Sequence, residues 1–186
     1  MSYRYLTFNP HRSIGVPKVM YIKPENMYRF TKEIYAAQKL LFPESWQVNT
    51  LIYGFKKGIF PSPATYHLGY DKIEMTRAIR ACFPDCIPKT EILSSETAHF
   101  ENLGDEFGLP FVCKEVRNSS GFGVFLINTK EEFMMFKQNN HIVYVQEHLK
   151  IDKDLRVVVI GDTAVDSYWR IKEPRCFHSN LARGAY

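Results

Sequence analysis

Residues 110–124 read Pro110-Phe111-Val112-Cys113-Lys114-Glu115-Val116-Arg117-Asn118-Ser119-Ser120-Gly121-Phe122-Gly123-Val124. As a strand of period two, Val112, Lys114 and Val116 share one side, and Phe111, Cys113 and Glu115 the other. Asn118 to Gly123 then supplies mostly small side chains and two glycines. Glycine lets consecutive N–H groups turn toward a ligand with no Cβ in the way, and such a turn is an anion-binding concavity. A lysine beside it adds a mobile ammonium suited to phosphate. No GxxxxGK[ST] segment occurs, and here the lysine precedes the loop. Taken alone, the same residues also fit an ordinary turn between two strands.

Downstream of this loop the pattern is strand-rich. Phe122–Ile127 is the partner strand, and Thr129 caps a short helix to Gln138 carrying Phe133 and Phe136. His141–Glu147, Asp154–Ile160 and Thr163–Ile171 read as three more strands, the last two joined by a Gly161-Asp162 turn. Upstream, Asp71 caps a helix to about Cys82, with Glu74 three residues on. A short strand follows at Ile87–Leu93. A helix starting at Ser95-Glu96 carries Phe100, Leu103 and Phe107 and ends on Gly108.

The first 67 residues read as a small α/β unit. Val16–Lys23 is a strand. Pro24 opens a helix in which Met27, Phe30, Ile34, Ala37 and Leu41 recur at three- and four-residue steps until Pro43. Gln47–Phe55 is a second strand, and Gly58–Pro63 a loop. The expected division is 1–67 and 68–186.

Composition narrows the class. The chain has 186 residues, 45% hydrophobic and 15% aromatic, which is enough to bury a core and argues against disorder. Its net charge of +4 suits a polyanionic ligand, but no run of five Lys/Arg and no zinc-finger spacing occurs. Nucleic acid is therefore not an expected partner. The four cysteines form no CxxC pair, and reduced thiols in a cytoplasmic protein are expected. No signal peptide and no membrane-length apolar run is present.

Three further features lie in order behind the loop. Gln146-Glu147-His148-Leu149 closes an apolar strand and could meet an adenine edge. Asp154-Leu155-Arg156 places an Asp where it could accept from ribose hydroxyls. Arg170 precedes Phe177-His178-Ser179-Asn180, and arginine suits bidentate contact with phosphate or carboxylate. Singly, each also fits a solvated strand end or an exposed ion pair.

Together with Gly108-Leu109-Pro110, Asp71-Lys72, Gly161-Asp162 and Leu181-Ala182-Arg183-Gly184-Ala185, this order resembles the ATP-grasp superfamily. It is most similar to the RimK-type carboxylate–amine ligases, the ribosomal-protein glutamate ligases and their relatives, over residues 68–186. The resemblance implies an α/β (α+β) fold with a small N-terminal unit before the nucleotide-binding subdomain. It implies ATP-dependent amide formation through an acylphosphate, with ATP, a carboxylate and an amine (amino acid or peptide) as partners. A homo-oligomer is left open.

By position, Lys72 and Lys114 would contact the nucleotide phosphates, and Ser119, Ser120, Gly121 and Gly123 would close over them. Glu147 and His148 would lie at the adenine hinge, and Asp154 would bind ribose. His178 and Ser179, with Arg170 and Asn180 as the catalytic pair, would line the phosphate and acceptor-carboxylate side. The family commonly has Arg where this chain has His178. Its magnesium ligands are expected downstream of Tyr186, so no metal ligand is assigned and the domain is expected to be incomplete at its C-terminus. The alternative is a nucleotide-binding module, or an inactive fragment of such a ligase.

Overall fold

The computed structural model describes residues 3–118 and 122–172. The chain divides into two compact units, Met1–Gly69 and Tyr70–Tyr186. In the first, β1 (Tyr5–Thr7), β2 (Val19–Tyr21), β3 (Lys39–Leu41) and β4 (Ile59–Phe60) form a parallel sheet in the order β2-β1-β3-β4. Helices α1 (Thr31–Ala36), α2 (Ser45–Asn49) and α3 (Pro63–Tyr70) connect and cover it. Leu6, Met27, Ile34, Leu40, Val48 and Leu51 are fully or almost fully buried and make its core.

Sequence reasoning misread much of this unit. The helix expected from Pro24 to Leu41 is a 3-10 turn (Pro24–Arg29), then α1, then β3. Ala37 leaves the helix with ψ 139°, and Leu40 and Leu41 become a strand flanked by β1 and β4. Met27, Ile34 and Leu41 are all buried, so three short elements imitated one helical stripe. The strand expected at Gln47–Phe55 is α2 followed by a π turn, Thr50–Gly54. Its start is set by Gln47, whose Oε1 accepts from the Glu44 N–H at 2.8 Å, one half of a capping box. Val48 and Leu51, three apart, then face the core. The expected loop at Gly58–Pro63 contains β4, and β1 has only three residues, too few for a period to register.

The second unit follows the sequence closely. Helix α4 (Lys72–Cys82) starts on Asp71, whose side chain accepts from the Ile73 and Glu74 N–H groups. Strands β5 (Thr90–Ser94), β6 (Phe111–Lys114), β7 (Val124–Ile127) and β8 (Ile142–Gln146) form an antiparallel sheet in the order β5-β8-β6-β7. Helix α5 (Phe100–Phe107) begins later than expected, after a turn in which Thr97 N–H bonds Ser94 Oγ at 3.2 Å. It ends as expected on Gly108, at φ +73°. Helix α6 (Lys130–Asn139) carries the Thr129/Glu132 capping box.

Alternation divides the sheet's two faces. Phe111, Cys113, Val143 and Val145 pack with Leu103, Phe133 and Phe136 of α5 and α6. The Phe111 and Phe133 rings meet edge-on at 5.9 Å, and each such burial stabilises by roughly 2–3 kcal/mol. Val112, Lys114, Tyr144 and Gln146 take the other face, where Thr76 of α4 reaches the Tyr144 hydroxyl at 2.8 Å. Strands β9 (Lys153–Ile160) and β10 (Thr163–Ile171) form a separate hairpin around Gly161, at φ +62°. Several of its apolar side chains, among them Leu155, Val159, Val165 and Trp169, are at least half exposed. No helix among the described residues is long and apolar enough to cross a membrane.

Candidate functional site

Lys114 ends β6 on the face opposite the aromatic core. Its Nζ donates to Gln146 Oε1 at 2.5 Å and lies 6.0 Å from the centroid of the Tyr144 ring. Burial, helped by the nearby Lys72 ammonium, pushes its pKa down to about 8. An ammonium with so weak a hold on its proton gains strongly from an anionic ligand.

Lys72 reaches the same loop from the first turn of α4. Its Nζ donates to Glu115 O at 2.8 Å and to Asn118 O at 2.7 Å, and its own N–H bonds Val116 O at 3.1 Å. Burial lowers its pKa, while Glu115 and Asp71 hold it up. Beside it Asp71 caps the helix and accepts from Arg117 Nε at 3.0 Å. Four contacts therefore tie the loop's entry to the start of α4. Beside this tie opens a cleft of about 810 Å³ lined by Asp71, Glu74, Arg77, Glu115, Arg117 and His141, among others, with neither Lys72 nor Lys114 in its wall.

The loop's exit requires a glycine. Gly123 has φ +71°, and a Cβ there would lie 2.6 Å from Glu115 Oε2 and 2.9 Å from Asn118 Nδ2. Asn118 Nδ2 donates to Glu115 Oε2 at 2.7 Å, and Glu115 N–H to Gly123 O at 2.8 Å. The two ends of the loop thus close on each other where the notional side chain would stand. Ser119, Ser120 and Gly121 lie outside the described residues.

Glu147 and His148 follow β8 directly. The Glu147 carboxylate accepts from Lys89 N–H at 2.7 Å, while its own N–H bonds Lys89 O at 3.0 Å. That carboxylate is therefore engaged with main chain, which leaves the backbone beside it as the open part of this strand end. Burial, with Lys172 and Lys150 adding, lowers the His148 pKa. Asp154 and Arg170 face each other across the hairpin and form an ion pair, Arg170 Nε to Asp154 Oδ1 at 2.6 Å. The groups expected to bind sugar and phosphate are thus bound to each other. His178, Ser179 and Asn180 lie outside the described residues.

Sequence reasoning named Gln146 only as part of the Gln146–Leu149 strand end and missed Thr90 and Tyr144; these three surround Lys114 or support its acceptor. The available signal was period two: Tyr144 and Gln146 share the face of Lys114 once β8 is paired with β6. Among the described residues no three His, Cys, Asp or Glu side chains gather around a site for a metal ion, so magnesium is assigned no ligand in them.

A sequence model of the RimK-like ATP-grasp domain matches residues 84–186. The ribosomal protein bS6–L-glutamate ligase of Escherichia fergusonii is 36% identical over 104 residues, which is 53% of this chain and 35% of that protein. The chain thus spans about a third of that relative's length. Among solved structures, a RimK domain ATP-grasp protein from Sphaerobacter thermophilus superposes with a TM-score of 0.63 at 16% identity, covering 94% of this chain and 74% of that one. N5-carboxyaminoimidazole synthetase from Staphylococcus aureus, complexed with ADP, gives 0.59 at 15% identity, covering 91% and 48%. At these identities the structural likeness concerns the fold.

Proposed function

The chain belongs to the RimK-like ATP-grasp family, and from that membership we propose that it serves ATP-dependent carboxylate–amine ligation. A carboxylate would take the terminal phosphoryl group of ATP to give an acylphosphate, and an amine would displace phosphate to form an amide. The observation that carries the reading is Lys114, a largely buried ammonium on a strand face beside a loop that closes on an obligatory glycine. Such chemistry needs charge neutralisation and positioning more than a nucleophile.

In this reading Lys114 and the loop N–H groups from Ser119 to Gly123 hold the phosphates, and Lys72 supports the loop while adding positive potential. The backbone at Glu147 and His148 meets the adenine. Asp154 receives the ribose and Arg170 the phosphate side, each exchanging its partner for nucleotide, with His178, Ser179 and Asn180 completing the acceptor side. Magnesium is expected to accompany the nucleotide, but no step is assigned to it because the described residues offer no cluster of ligands. The setting is proposed to be cytoplasmic. The name of the Escherichia fergusonii relative makes L-glutamate the first amine to try.

The test is ADP release with ATP, magnesium and a panel of amino-acid and peptide carboxylates and amines, alongside thermal shifts with nucleotide. Release that requires both acceptors supports ligation. Stabilisation by ATP with no release under any pair supports a nucleotide-binding module. No stabilisation by ATP or ADP overturns both.

A further inference from the structure

The side chain that holds Lys114 is the last link of a hydrogen-bond chain that runs in one direction. The Thr90 hydroxyl donates to Pro88 O at 2.7 Å. A hydroxyl has a single proton, so toward Gln146 the Thr90 oxygen can only accept, and it does so from Nε2 at 2.8 Å. This fixes the sense of the Gln146 amide. Its Oε1 is left facing the Lys114 Nζ.

The link is built into the sheet. Thr90 of β5 pairs directly with Gln146 of β8, and Gln146 lies diagonally across from Lys114 of β6. Thr90 is 2% exposed, so water hardly competes for its hydroxyl, and its carbonyl is held by Arg80 Nη2 at 2.5 Å. Such a chain is worth more in a low-dielectric interior than at a surface.

Resting on the nucleotide reading of Lys114, we infer that Gln146 and Thr90 are positioning residues. They hold the Lys114 ammonium in place with a neutral acceptor, which leaves its whole positive charge for a phosphate. A carboxylate at position 146 would orient the ammonium equally well but would satisfy its charge before any ligand arrived.

The other groups facing Lys114 cannot do this. Lys72, from α4, repels it, and its own counter-charges are Asp71 and Glu115. Tyr144, from β8, offers a ring face and has its hydroxyl on Thr76.

The test uses the full chain grown with carbon-13 lysine and read at the Cε carbons, the Lys114 signal being assigned by its loss in Lys114→Arg. The expected midpoint in the unaltered chain is about 8. In Gln146→Leu and in the near-isosteric Thr90→Val, Lys114 should titrate about one pH unit lower, and Thr90→Ser should restore it. ATP affinity should fall as pH rises past the midpoint, about tenfold per pH unit beyond it, and that fall should begin at lower pH in the two variants. Unchanged midpoints in Gln146→Leu and Thr90→Val overturn the positioning role. If Gln146→Leu does not fold, the Thr90→Val and Thr90→Ser pair decides alone. Undiminished ATP binding in Lys114→Ala overturns instead the nucleotide reading beneath it, whatever the midpoints do.

Discussion

The end of β6 and the start of α4 each bring a lysine to the same loop, and they hold it by different means. Lys72 gives two of its three N–H donors to main-chain carbonyls of the loop, Glu115 and Asn118. Lys114 gives one to a neutral side chain and is the more strongly depressed in pKa, to about 8. The first arrangement is a strut: the ammonium replaces missing donors for a turning backbone. The second keeps donors and charge in reserve. Both positions read identically in sequence, as lysines at family-like spacing. Only the identity of the acceptors separates a residue that shapes a site from one that waits for a ligand.

The largest expected effect tests that separation at Lys114. Lys114→Ala should lower ATP affinity by about a hundredfold or more, about 3 kcal/mol, as for a lost charge-assisted contact; calorimetry of the two chains measures it. Stability should move the other way. The unfolded chain keeps the Lys114 proton up to about 10.4, whereas the folded chain releases it at about 8. Between those values the unfolded state binds more protons, so stability rises with pH, and below about 8 the full cost of burying the charge is present. Lys114→Met should therefore stabilise the nucleotide-free protein near neutral pH by up to about 3 kcal/mol, and much less at alkaline pH, in urea titrations. A loss of stability at neutral pH would make Lys114 a second strut.

Gly123→Ala comes next. Its Cβ would meet Glu115 Cβ at 2.9 Å as well as the two polar atoms, so the loop ends must part rather than one flexible tip swing aside. With the positive φ added, the cost should be about 2 kcal/mol, read as a lower urea midpoint. Nucleotide affinity should fall with it, because the loop that would close over phosphate loses its closed base.

These residues also mark how far the sequence could be read. The sheet of the second unit was legible because β6, β7 and β8 are largely apolar runs of four or five residues, and their turn signals, Gly108 and the Thr129 cap, sit where the backbone needs them. The first unit was not. Its strands have two or three residues, shorter than any period needs, and Leu40-Leu41 is buried on both faces of a parallel sheet, which erases alternation. At the site, Lys114 and Gly123 were legible by type and spacing. Thr90 was not, since a threonine 56 residues from Gln146 acquires its meaning only from strand pairing. The engagement of Glu147 with Lys89 and of Asp154 with Arg170 was hidden for the same reason.

Lys72→Met sharpens the comparison at smaller scale. Two hydrogen bonds to carbonyls are lost, but the cost of burying the ammonium is relieved, so the net destabilisation should be about 1 kcal/mol. The distinguishing readout is local: proteolytic cleavage within residues 115–123 should accelerate, while ATP affinity should fall by less than about tenfold. Equal losses of ATP affinity in Lys72→Met and Lys114→Met would erase the distinction between strut and ligand-facing lysine.

The smallest effects separate the two contacts that Asp71 makes beside Lys72. Burial tends to raise its carboxyl pKa, but the Arg117 hydrogen bond and the two helix amides outweigh this and hold it below its ordinary value. A carboxyl depressed in the folded state stabilises above its unfolded pKa, about 3.9, and that contribution is lost as pH falls through the lower folded value. Arg117 is 71% exposed, so Arg117→Ala should cost less than about 0.5 kcal/mol. Asp71→Ala, which uncaps α4, should cost about 1 kcal/mol at neutral pH. In urea titrations at neutral and strongly acidic pH, the Asp71→Ala difference should shrink on acidification. If Arg117→Ala instead costs as much as Asp71→Ala, the ion pair rather than the cap fixes the start of α4, and the strut at Lys72 depends on the loop's own arginine.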